Sequence, residues 1–113
     1  MSQEFVHVAQ TSDLEPGAKK RVYVGEQRVM LTNVDGVFYA LDDLCPHALA
    51  VMSAGWLDGD EIVCPLHGAR FNVKTGEVLS SPAEEDMTVF AVKIEGENVL
   101  VCVPGARDAP RPS

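Results

Sequence analysis

Residues 42–68 read DDLCPHALAVMSAGWLDGDEIVCPLHG, and this stretch holds two loops of matched chemistry. Cys45-Pro46-His47 is followed, after sixteen residues, by Cys64-Pro65-Leu66-His67-Gly68. Each loop offers one thiolate and one imidazole close enough to reach a single metal centre. An isolated Cys is ordinarily a small buried hydrophobe, and an isolated His a hydrogen-bonded polar residue. Here four metal-binding side chains fall into two matched loops, and only Cys102 and His7 stand outside them. Cys45, His47, Cys64 and His67 are therefore the candidate ligands of one centre. Zinc accepts two Cys and two His, but its common spacing pairs like with like. A [2Fe–2S] cluster with two thiolates on one iron and two imidazoles on the other uses mixed loops naturally. A four-thiolate cluster is excluded, because two cysteines do not suffice.

Outward from these loops the chain reads as short strands cut by turns. Arg21-Val22-Tyr23-Val24 and Arg28-Val29-Met30-Leu31-Thr32 flank Gly25-Glu26-Gln27, a hairpin signal. Asp35-Gly36 tolerates the positive φ angles of a tight turn and joins Leu31–Val34 to Val37–Leu41. Thr88–Ile94 and Val99–Val103 form a further hairpin around Glu95–Asn98, and Phe5–Ala9 alternates weakly. Helical periodicity is confined to the short Pro82–Glu85 stretch. The expected class is all-β, a small antiparallel sandwich or barrel. The loop-rich interval 42–81 interrupts it as a two-loop subdomain.

The 113 residues suffice for one small domain, expected to span 1–103, with the proline-rich 104–113 as a flexible tail. Nine Lys+Arg against 17 Asp+Glu leave a net charge of −8, which argues against nucleic acid or an anionic membrane surface as partner. No uncharged apolar run approaches the roughly 18 residues of a membrane span, and no secretory signal opens the chain. Three cysteines make a poor disulfide framework, so a reducing, cytoplasmic setting is expected.

Cys-x-His-x₁₆-Cys-x₂-His resembles the signature of the Rieske [2Fe–2S] proteins. Gly55-Trp56-Leu57, Glu61 to Asn72, Thr75-Gly76-Glu77-Val78 and Pro82-Ala83 extend the resemblance to roughly residues 4–103. By this resemblance Cys45 and Cys64 hold a buried iron, and His47 and His67 hold the outer one. The high-potential respiratory and photosynthetic members carry a disulfide between the loops, at positions matching Ala50 and Leu66. They also place hydroxyls at positions matching Ala69 and Phe71. Neither feature exists here, so a low potential is expected, since fewer donors stabilise the reduced cluster less.

What remains resembles the small Rieske-type ferredoxins of bacterial aromatic-ring-hydroxylating dioxygenase systems. The resemblance implies a one-electron carrier, not an enzyme. Its donor would be a flavin-containing, NADH-dependent reductase and its acceptor a terminal Rieske oxygenase. One alternative is the Rieske-like small subunit of assimilatory nitrite reductase, many of which lack ligands that are all present here. Another is a structural zinc-binding interaction module. Asp42-Asp43, Asp58-Gly59-Asp60-Glu61 and Glu84-Glu85-Asp86 read as solvated acidic patches able to steer basic partners. Trp56 is expected in the core, Leu49, Met52 and Leu66 at an apolar docking rim, and Gly68 where backbones approach closely. Pro46 and Pro65 would stiffen the loops.

Overall fold

The computed structural model describes residues 5–44, 51–65, 68–80 and 85–103. The architecture is all-β, with antiparallel pairing throughout. The strands are β1 (Val6–Gln10), β2 (Lys19–Val24), β3 (Gln27–Val34), β4 (Val37–Asp42), β5 (Trp56–Asp58), β6 (Glu61–Val63), β7 (Arg70–Asn72), β8 (Val89–Glu95) and β9 (Asn98–Cys102). Six form one sheet in the order β1-β9-β8-β4-β3-β2, and β5-β6-β7 form a second. The large sheet curls until its outer strands β1 and β2 lie side by side, giving a nearly closed barrel. The small sheet is the expected subdomain, inserted between β4 and β8. Among the described residues no helix is long and apolar enough to cross a membrane.

The turns sit where the dipeptides place them. Val34 pairs with Val37 across Asp35 (φ 53°) and Gly36 (φ 90°), the left-handed pair that matches the right-handed twist of the flanking strands. Buried Asn33 ties this turn down: its Oδ1 accepts the Gly36 N–H and its Nδ2 donates to the Leu14 carbonyl, both at 2.8 Å. Gly25-Glu26 and Gly96-Glu97 close the other two expected hairpins. Gly59-Asp60 closes a fourth, between β5 and β6, in a stretch that reads in sequence as an acidic patch. The weak alternation of β1 also has a cause, because its register with β9 slips between His7 and Ala9.

β3 decides the layering, because it is buried on both faces. Val29 and Leu31 point into the barrel with Val22, Val24, Ala40, Phe90, Val99 and Val101. Met30 and Val34 point the other way, packing with Leu41, Met52, Ile62, Cys64, Phe71, Val73 and Met87. This second core binds the small sheet to the barrel. Cys64 lies within it, so the strands that carry the loops are held from beneath by apolar packing.

Candidate metal centre

Two short loops rise from neighbouring stems at this second core. The first stem is closed by an antiparallel bridge between Leu44 and Val51. The second is closed by β6 and β7, where Val63 pairs with Arg70 and the Cys64 N–H donates to the Ala69 carbonyl at 2.8 Å. Leu41 and Met52 from beside the first stem share the core with Ile62, Cys64, Ala69 and Phe71 from the second. The two stems therefore stand on one foundation. Cys64 is described and wholly buried. Cys45, His47 and His67 lie outside the described residues, as do Pro46, Leu49, Ala50 and Leu66. Among the described residues no three metal-binding side chains converge, which follows from Cys64 being the one described member of the quartet.

The stems are tightened by close contacts. Gly55 has an ordinary φ of −81°, yet a Cβ there would run into the Val63 carbonyl oxygen and lie 3.1 Å from Pro65 Cδ. Those residues flank Cys64, so β5 can approach the second loop only because residue 55 lacks a side chain. Phe71 bridges to Val78, and the turn between them is anchored where the Met87 N–H donates to the Gly76 carbonyl at 2.7 Å. Ala69 and Phe71 are wholly buried and carry no hydroxyl toward the loop.

Several expectations change here. Trp56 is 56% exposed, because register with Val63 and Arg70 puts it on the outer face of the small sheet, away from Ile62 and Phe71. Met52 is core, not rim: it sits in the short 3-10 turn Met52–Ala54, facing Leu41 and Ile62. Gly68 has a φ of 76°, a left-handed conformation open to glycine, and among the described residues an added Cβ would meet nothing within 4 Å; the approach expected beside His67 lies outside the described residues.

The acidic patches are less free than their sequence suggests. Arg70 Nη1 bonds Glu61 at 3.0 Å and Asp58 at 3.2 Å, and these partners, Glu61 first, hold its guanidinium pKa above the ordinary value. Asp42 Oδ1 accepts the Leu44 N–H, and Asp86 Oδ1 the Val78 N–H. Asp43 is wholly buried, accepting from Arg21 and from Ser53. Bonds to Tyr23 and to Asp43 raise the Arg21 pKa. Sequence reasoning missed the role of Asp43, Ser53 and Arg21. The available signal was a carboxylate two residues before a candidate ligand, which reads equally as solvent-facing.

The donor chemistry fits an iron–sulfur centre on the residue that can be tested. A wholly buried Cys64 beside Ala69 and Phe71 suits a thiolate holding the inner iron, shielded from water. Residues 4–94 match the Rieske [2Fe-2S] domain family. The chain is 41% identical to the ferredoxin component of the naphthalene 1,2-dioxygenase/salicylate 5-hydroxylase systems of a Ralstonia species, with 89% of this chain and 97% of that protein covered. It superposes with a TM-score of 0.84 and 41% identity on a chain from the complex of reduced oxygenase and oxidized ferredoxin in carbazole 1,9a-dioxygenase, covering 89% of this chain and 94% of that one. A putative nitrite reductase small subunit matches less well, with a TM-score of 0.74 and 27% identity over 87% of this chain and 97% of that one.

Proposed function

The chain belongs to the Rieske [2Fe-2S] family, and from that premise we propose that it carries single electrons from an NADH-dependent flavoprotein reductase to a terminal ring-hydroxylating oxygenase. It is an electron-transfer component and not itself a catalyst, as its relatives of about 40% identity are ferredoxin components. The observation that carries the reading is the match, over nearly the full length of both chains, to a chain from a ferredoxin–oxygenase complex. The nitrite reductase alternative has the weaker sequence match, 27% identity against 41%.

In this reading Cys45 and Cys64 hold the inner iron, and His47 and His67 the outer one. The cluster, when bound, supplies a one-electron couple that histidine ligation places within about −150 to +300 mV. The protein's part is to exclude water and hold the ligands. Buried Cys64 is walled by Ala69 and Phe71, and neither can donate a hydrogen bond from its side chain. Fewer donors stabilise the reduced cluster less, which supports a couple at the low end of the range. In this reading the acceptor docks at the end of the small sheet where β6 and β7 carry the second ligand segment. The setting is cytoplasmic, where NADH and a reducing thiol pool coexist.

The test begins with the visible spectrum and voltammetry of the anaerobically purified protein. A red-brown protein with a couple near −150 mV supports the assignment, whereas a colourless protein that binds zinc overturns it. Reconstitution completes the test. Electrons from NADH should reach a ring-hydroxylating oxygenase only when reductase and this protein are both present. A His67→Cys variant should keep a cluster at lower potential, and an unchanged potential would remove His67 from the ligand set.

A further inference from the structure

Asp43 is the one wholly buried charged side chain among the described residues, and it stands two residues before Cys45. Its Oδ1 accepts the Ser53 backbone N–H at 2.6 Å. Its Oδ2 accepts the Ser53 hydroxyl at 2.8 Å and Arg21 Nε at 2.9 Å. The Asp43 carbonyl accepts the Met52 N–H at 2.9 Å, and the Ser53 carbonyl accepts from Lys19 Nζ at 2.8 Å. One carboxylate thus joins the two ends of the segment that carries Cys45 and His47. Two cations on β2, an outer strand of the barrel sheet, fasten the joint to the rest of the fold.

Burying a carboxylate is costly unless its lone pairs are satisfied, and a well-packed apolar side chain is often no less stable at such a place. The fold therefore does not need a charge here for stability alone. What a carboxylate offers and a hydrocarbon lacks is fixed direction: two oxygens in one plane, each aimed at a defined donor. The second loop needs no such device, because β6 and β7 pair directly at its base. The first loop has a single bridge, Leu44 with Val51, at its base. The Asp43 carboxylate adds two hydrogen bonds to Ser53 across that base.

We propose that Asp43, gripped by Ser53 and Arg21, is the positioning residue of the first ligand segment, fixing together the two ends of the stretch that carries Cys45 and His47 and biasing the bound cluster toward its oxidised form. The second effect is one of sign. A buried negative charge disfavours adding an electron nearby, and the guanidinium of Arg21, 38% exposed on its side chain, offsets part of that charge. Removing the carboxylate charge raises the potential, and removing the guanidinium lowers it. The inference rests on the family reading and on Cys45 and His47 as ligands.

The experiment compares wild-type holoprotein with Asp43→Asn, Ser53→Ala, Ser53→Thr and Arg21→Gln. Each is followed by thermal melting, by voltammetry, and by the bleaching of its visible absorption under excess ferrous chelator. Bleaching should quicken at least tenfold in Asp43→Asn and severalfold in Ser53→Ala, and return toward the wild-type rate in Ser53→Thr. The midpoint potential should rise in Asp43→Asn and fall in Arg21→Gln, opposite movements that a merely structural role would not produce. Bleaching within twofold of wild type in Ser53→Ala overturns the proposal, as do potentials that move in the same direction. If Asp43→Asn does not accumulate as a folded protein, Ser53→Ala and Arg21→Gln decide, because each removes one donor and leaves the carboxylate. A wild-type protein without a [2Fe–2S] spectrum defeats the family reading and this proposal with it. A wild-type spectrum with unmoved variants defeats the proposal alone.

Discussion

Gly55→Ala separates what holds the metal loops from what holds the fold. At φ −81° and ψ −152° Gly55 is extended and not left-handed, so the main effect of an alanine is steric. The new methyl overlaps the Val63 carbonyl oxygen, a backbone atom, and presses on Pro65 Cδ at 3.1 Å. Relief comes in one of two ways. Either β5 withdraws from β6, which breaks the pairing of Trp56 with Val63, or the Val63–Pro65 segment yields and carries Cys64 with it. Overpacking of this kind costs about 1–3 kcal/mol. For a domain of this size the midpoint of melting should fall by roughly 4–8 °C per kcal/mol. If the strain falls on the ligand-bound geometry, loss of the cluster to a chelator quickens by about five- to 150-fold, at tenfold per 1.4 kcal/mol. The control is Gly96→Ala, in the β8–β9 turn, where φ is 63° and a methyl meets nothing within 4 Å. That variant carries about 1–2 kcal/mol of left-handed strain far from the loops. It should lower the melting point while leaving chelator bleaching near wild type. The reasoning is refuted if Gly55→Ala bleaches no faster than Gly96→Ala.

Three further expectations rest on the same geometry. Phe71→Ala empties a wholly buried aromatic site beneath the loops and should cost about 3–5 kcal/mol in chemical denaturation, whereas a loss under about 1 kcal/mol would mean that the second core does not bear on the small sheet. Phe71→Tyr should raise the midpoint potential if the new hydroxyl reaches a cluster sulfur; a lower melting point with an unchanged potential would show a buried donor left without a partner, at about 1–3 kcal/mol. Reduction by the flavoprotein should slow as salt shortens the Debye length from about 30 Å to about 3 Å, and Arg70→Gln, which releases Asp58 and Glu61, should speed it at low salt. An Arg70→Gln protein that is no faster there would show that these carboxylates do not steer.

The hairpins were legible because their turns are chemical. Asp35-Gly36 needs two positive φ angles that few other dipeptides accept, and Val34 does pair with Val37 across it. The Gly59-Asp60 turn was hidden by its charges, since an acidic run reads as a solvated face whether or not it reverses the chain. Trp56 misled for the opposite reason: a large aromatic beside a metal loop suggests burial, but residue 56 shares the outer face with Arg70. Composition cannot assign a face, because a shift of one residue in register exchanges the two sides of a strand.

The all-β class was written in the chain itself, as were the candidate ligands and their two-loop spacing, because tight turns demand particular dihedrals and metal chemistry demands particular atoms. So were the missing hydroxyls at Ala69 and Phe71. Tertiary structure alone decided which carboxylates face water. Asp42 and Asp43 are neighbours of identical chemistry, yet one is a half-buried strand end accepting the Leu44 N–H and the other a wholly buried joint between Arg21 and Ser53. That difference arises from contacts spanning 22 and 10 residues of sequence, which no local pattern records. Long-range packing also set Gly55 against the backbone beside Cys64, since the space available to a side chain belongs to its neighbours in three dimensions.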